Sequence, residues 1–189
     1  MSEEYIGVKF TSVKQAGELP SPDSVEKISS IAQQLLNEKI NDNEKSGNIS
    51  LRQGKGFTIT ATGSSMNLIS VNSLSFVHKI NFEENKVFFS GEIPSSESLM
   101  HAFIYRKRKD INAIIHFHND VLLKKLKSSA SQIPSTKKEL PYGSQILAKE
   151  IVSSLGKNNF LIIKNHGFLA VGKTPEAALN EIKNFLSEQ

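Results

Sequence analysis

The sequence predicts an α/β or α+β domain, a mixed sheet covered by helices, and three patterns carry that expectation. Apolar residues recur at helical spacing in some stretches. In others they alternate or cluster in short strand-like runs bounded by polar turns. The two kinds interleave as helix, several strands, helix, strand, helix, two strands, helix. The length of 189 residues suits one domain over 1–189, with residues 1–22 as an N-terminal extension.

Taken in order, "YIGVKF" (5–10) reads as a short strand, followed by the Gly/Pro/Ser-rich connector "GELPSPDS". Val25, Ile28, Ile31, Ala32, Leu35 and Leu36 recur at helical spacing, with Ser24 as the expected N-cap. "NISLR", "FTITATG", "LSFVHKINF" and "KVFFSG" read as strands, the last two joined by the turn "EEN". "SSESLMHAFIYRKR" is an expected helix with Ser95 or Ser96 at its N-cap, Glu97 in its first turn and a cationic end that complements the helix dipole. "INAIIHFH" reads as a strand buried on both faces. "PYGSQILAKEIVSSLG" is a helix ending at Gly156, and "NFLIIKNHGFLAVG" holds two short strands around "NHG". A last helix starts with Thr174 as N-cap and Pro175 at its first position.

Composition excludes several function classes. A hydrophobic content of 38% with 22% charged residues belongs to a globular chain and argues against wholesale disorder. The apolar runs fall far short of the ~20 residues that span a bilayer, and the N-terminus lacks a secretory pattern, so a cytoplasmic protein without a membrane partner is expected. There is no cysteine, which rules out disulfides, thiolate metal sites and cysteine nucleophiles. A zinc site in this chain must therefore use histidine and carboxylate. The formal charge is +4, with basic clusters at 105–110 and 124–127. No aromatic interleaving or nucleic-acid-binding motif accompanies them, so they read as solvated helix ends and no nucleic-acid partner is expected.

Chemistry concentrates around "NAIIHFHND" (112–120). Residues i and i+2 of a strand share a face, so His116 and His118 project together. That geometry suits two ligands of one metal, and equally a pair of core histidines. His166, before Gly167, sits where a turn can aim a ring into a cleft or leave it exposed. His78 reads as structural, and His101 shares a helix face with Glu97, as a partner of the site or as a packing residue. Small-residue turns at Gly47–Asn48 and Thr62–Gly63–Ser64–Ser65, with the serines at 95 and 96, are of the kind that lets backbone amides approach an anion.

In sequence order, "GNISLR", "ITATG", "PSSE…H", "IIHFH" and "NHGFLAVG" resemble the motifs of the class II aldolase/adducin family, over about Val25 to Leu186. The resemblance implies a three-layer α/β/α fold with a mixed, mainly antiparallel central sheet. It implies one zinc, or another divalent transition metal, on His116, His118 and His166, with Glu97 as catalytic acid/base. Gly47, Asn48, Thr62, Gly63, Ser95 and Ser96 would hold a substrate phosphate. The implied function is that of a lyase: aldol-type cleavage of a small sugar phosphate or keto-sugar through a metal-stabilised enediolate. Dehydration, decarboxylation or epimerisation on the same metal site, or an adducin-like interaction module, are the alternatives. Glu rather than Asp after "PSS" leans towards the aldolase. The family assembles as a homotetramer. Its aldolases also carry a tyrosine proton donor in a longer C-terminal part; here no tyrosine follows His166, and that donor has no assigned counterpart.

Overall fold

A computed structural model describes residues 7–127 and 133–188. Its strands are β1 (Thr11–Lys14), β2 (Asn48–Gln53), β3 (Gly56–Thr60), β4 (Leu74–Asn81), β5 (Lys86–Gly91), β6 (Ala113–Phe117), β7 (Phe160–Ile163) and β8 (Gly167–Gly172). Its helices are α1 (Pro22–Asn37), α2 (Ser98–Lys107), α3 (Asp120–Lys127), α4 (Gln145–Leu155) and α5 (Pro175–Ser187). The strands form one sheet in the order β1-β5-β4-β3-β2-β6-β8-β7. Every pairing is antiparallel except β1 with β5, which is parallel, so the sheet is mixed and mainly antiparallel as expected.

Strand alternation sorts the side chains into two cores. Ala113, Ile115 and Phe117 of β6 pack with Phe168 and Ala170 of β8 beneath α1, α3 and α5. Ile114, Leu169 and Val171 face the other way, into the core under α2 and α4. Helices on both faces make the three-layer α/β/α arrangement. β6 lies between β2 and β8 and is buried along its whole length, so its sequence is an apolar run instead of an alternation.

Several boundaries depart from expectation. Residues 7–10 are not a strand; the N-terminal strand is β1, placed later by its pairing with β5, and Tyr5 and Ile6 lie outside the described residues. The cap of α1 is Ser21, whose side chain accepts from the Ser24 backbone N–H, and Pro22 occupies the first turn. Ser24 is buried inside that turn. α2 begins at Ser98, so Glu97 is its N-cap residue, and neither Ser95 nor Ser96 caps it. α4 begins after Ser144, which caps it, so "PYG" is a turn ahead of the helix. The caps of α5, Thr174 and Pro175, stand where the sequence puts them.

The register also places the site. The end of β6 lies beside the start of β2 (His116 opposite Asn48) and the start of β8 (Phe117 opposite Phe168). The end of β3 is tied to the segment before α2 by an Ala61–Pro94 bridge and by the Ser95 N–H donated to the Thr60 carbonyl. Segments starting near residues 47, 61, 95, 118 and 166 therefore meet at one end of the sheet.

Candidate functional site

His116 is the fourth residue of β6 and is wholly buried; His118 lies just past the strand end. Their Nε2 atoms are 2.9 Å apart. His166 ends the β7–β8 turn, with Asn165 before it in a left-handed conformation at φ 58°. The His116 and His166 rings lie parallel with centroids 5.0 Å apart, and His118 stands at 66° to both. Gly167 allows this packing, because a Cβ there would come within 2.6 Å of the Phe117 carbonyl and press on both His116 and His118. Glu97 completes the group: Oε2 is 3.0 Å from His116 Nε2 and Oε1 is 3.0 Å from His166 Nε2.

One ligand atom from each of these four residues lies within 4.8 Å of all the others. The hydrogen bonding of His116 makes the set suitable for a cation. Its Nδ1 is 2.8 Å from the Phe168 carbonyl, an acceptor only, so Nδ1 carries a proton and leaves Nε2 as the atom that faces the cluster and could bind a cation. Such converging nitrogen lone pairs and a carboxylate repel one another unless protons or a cation sit among them. Three imidazoles and a carboxylate suit zinc and other borderline divalent metals.

Electrostatics follow from the burial. Burial raises the Glu97 carboxyl, but in the metal-free cluster protons on the imidazoles of His116 and His166 outweigh it and hold the group well below the usual carboxylate range. Burial, reinforced by His116 and His166, depresses His118 to about 3. Burial also takes His101 to about 3. Both folded-state values lie below the ordinary 6.5, so between 6.5 and 3 the unfolded chain binds more protons. Stability is therefore complete above pH 6.5 and is lost as pH falls towards 3. Each buried imidazole contributes up to ~1.4 kcal/mol per pH unit in that window. The metal-free protein should accordingly show a melting temperature that falls steadily from pH 6.5 to 4; a flat profile would contradict this burial.

Beside the cluster is a cavity of about 240 Å³ lined by Gly47, Asn48, Thr62, Gly63, Ser95, Ser96, Glu97, His118 and His166. The residues to which the resemblance gives a metal, catalytic or phosphate role all line this cavity or belong to the cluster. Gly47, at φ 76°, is required there because a Cβ would fall 2.5 Å from the His116 carbonyl. Asn48 is placed differently from a plain anion ligand: its Nδ2 donates to Glu97 Oε2 at 2.8 Å, and its Oδ1 is 2.6 Å from His101 Nε2. His78, outside the site as expected, bonds Ser90 Oγ. The sequence reading did not assign Lys45, Ser46, Asp120, Tyr142 or Asn165 to the site, yet all line the cavity. They come from irregular segments or segment ends, where no periodicity marks them. Adjacency was the signal for three of them: Ser46 stands beside Gly47, Asn165 beside His166, and Asp120 closes "NAIIHFHND".

The comparisons agree with this geometry. The family model described as Class II Aldolase and Adducin N-terminal domain matches residues 26–185. The chain belongs to the class II aldolase and adducin family. L-fuculose phosphate aldolase of Methanococcus maripaludis is 32% identical over 139 residues, covering 67% of this chain and 73% of its own. The Methanocaldococcus jannaschii protein of the same name is 30% identical, with 67% and 72% covered. Among solved structures, an L-fuculose 1-phosphate aldolase superposes with a TM-score of 0.76 over 91% of this chain and 85% of its own, at 22% identity. A sugar-phosphate aldolase from Thermotoga maritima gives 0.68 over 86% and 90%, at 20% identity. By this kinship the chain is an aldolase-like lyase of the class II aldolase and adducin family. Among the described residues, no helix is long and apolar enough to cross a membrane.

Proposed function

We propose that the chain, working as one domain, is a zinc-dependent lyase that cleaves a small sugar phosphate in the manner of an aldolase. The observation that carries this reading is the meeting of two half-sites in one cavity. One is the His116–His118–His166–Glu97 cluster; the other is a wall of small and hydroxyl residues, Gly47, Thr62, Gly63, Ser95 and Ser96. A zinc ion held by the three histidines would supply Lewis-acid polarisation of a substrate carbonyl.

The chain's own residues do the rest. Glu97, 6% exposed and lining the cavity, is the group that moves the proton. Gly47, Asn48, Thr62, Gly63, Ser95 and Ser96, all lining the cavity, accommodate the phosphate. Lys45 adds a cation to that wall. Holding the phosphate away from the reacting carbons fixes orientation and contributes binding energy that the chemistry uses. The names of the relatives support the substrate class: fuculose phosphate aldolases by sequence, and a sugar-phosphate aldolase by fold. A homo-oligomer, by family resemblance a tetramer, is the proposed working unit. Exposed Leu68, Ile93 and Val121 lie within a few residues of the lining Ser64, Ser95 and Asp120, so a second copy would cover apolar surface near the cavity.

The test is a screen of phosphorylated and free sugars, with and without zinc, following release of aldehyde or dihydroxyacetone phosphate. Zinc-dependent cleavage of a phosphorylated sugar is expected, and no cleavage of any of them would refute the reading. Inorganic phosphate or a sugar phosphate should also raise the melting temperature, by about 2.7 kcal/mol of stabilisation at a hundredfold excess over Kd. A Thr62→Val variant should reduce that shift.

A further inference from the structure

Behind Glu97, between the sheet and α2, runs a buried line of polar side chains that the proposed chemistry does not use. Asn48 and Ser50 of β2 face His101 and Tyr105 of α2, and all four side chains are buried. Each contact in the line has one donor and one acceptor in only one arrangement. Glu97 as a carboxylate accepts only, so Asn48 presents its NH2 to Oε2 and its Oδ1 to His101. His101 Nε2, 2.6 Å from that oxygen, must carry a proton. A neutral ring then leaves Nδ1 as an acceptor, 2.6 Å from Ser50 Oγ, which donates to it. Ser50 Oγ has spent its proton, so the Tyr105 hydroxyl, 2.9 Å away, is the donor on that side, and its one proton is shared between Ser50 Oγ and the Ser50 carbonyl at 3.1 Å.

We propose that His101 is a positioning residue for Glu97. By donating Nε2–H to Asn48 Oδ1 it locks the carboxamide with its NH2 on Glu97 Oε2, and so fixes how that carboxylate faces the cavity. The idea rests on Glu97 being the proton-moving group proposed above. A free asparagine amide can turn over and set its oxygen against the carboxylate, and His101 removes that option. Ser50 and Tyr105 hold His101 in the required tautomer from behind. Depressed basicity from burial keeps the ring neutral, in agreement with the hydrogen bonds. The line reaches Glu97 without passing through His116, His118 or His166, and meets His116 only at Oε2, which also lies 3.0 Å from His116 Nε2.

Two kinds of measurement test this. In nitrogen-15 spectra of the histidine rings, His101 should show the Nε2–H tautomer; the Nδ1–H tautomer would overturn the proposal. His101→Leu should shift the Asn48 side-chain amide signals and lower kcat for a cleaved sugar phosphate about 10- to 100-fold, with KM little changed. His101→Gln can still donate to Asn48 and accept from Ser50, so it should restore both the Asn48 signals and most of the rate. Unmoved Asn48 signals in the leucine variant, or a glutamine variant no better than leucine, would refute a positioning role. If the leucine variant does not fold, Ser50→Ala asks the same question: a mixture of His101 tautomers supports the lock, and an unchanged single tautomer opposes it. Should the wild-type chain cleave no sugar phosphate, the proposed function fails, while the tautomer and the Asn48 signals still decide the role of His101.

Discussion

His166→Ala protein, purified without chelators, should carry essentially no zinc where the wild type carries about one per chain. The same loss is expected of His116→Ala, but the two variants differ in what else they disturb. His116 is fully buried and donates to the Phe168 carbonyl, so its removal also orphans a core acceptor and leaves a void in the sheet. His166 sits in a turn with its side chain 13% exposed, and its loss leaves the surrounding strands intact. His166→Ala is therefore the cleaner experiment. Elemental analysis gives the stoichiometry, and thermal melts give the linkage. Zinc at a hundredfold excess over Kd should stabilise the wild type by about 2.7 kcal/mol and leave the variant unmoved. Wild-type protein without zinc, or a variant that keeps it, would dismiss the cluster as a metal centre.

The second large effect is on turnover. Glu97→Gln should keep the zinc and lose about 10²- to 10⁴-fold in rate, the usual contribution of a positioned acid or base. Glutamine matches glutamate in shape, and its carbonyl oxygen can still accept from Asn48 where Oε2 does now. What it cannot do is take up and return a proton. Metal content, measured beside kcat, separates this from a site that has simply fallen apart. Unchanged turnover in the zinc-loaded variant would remove Glu97 from the proton transfer.

Much of this was legible in the sequence because the residues carry local marks. β6 announces itself as an apolar run ending in two histidines, and the start of α5 is written in Thr174 and Pro175. Where two local marks compete, the sequence misleads. The start of α1 offers both Ser21 and Ser24 as caps, and Pro22, suited to the first helical position, favours the earlier serine. Glu97 sits one residue outside α2 because the chain is held there by Ser95 to β3, a tertiary contact that no local pattern encodes. The link between Glu97 and His101 shows the same limit. Four-residue spacing put them on neighbouring helical positions, yet they communicate through Asn48, 49 residues from Glu97 and brought there by sheet register. Asp120, Tyr142 and Lys45, far apart in sequence and outside the strands, likewise meet at the cavity only through the tertiary fold.

The parallel pairing of β1 gives the N-terminal segment a protective task. Without β1, β5 would present a free row of amides and carbonyls along six residues, a template on which another chain could add a strand. β1 occupies that row and offers in its place only a four-residue rim of Thr-Ser-Val-Lys, short and ending in a lysine. At the opposite rim, β7 exchanges hydrogen bonds with Pro134 and Thr136, a stretch whose proline cannot donate to a newcomer. Both margins of the sheet are thus closed to stacking by short, poorly matched partners, which leaves association between copies to side chains and not to open backbone.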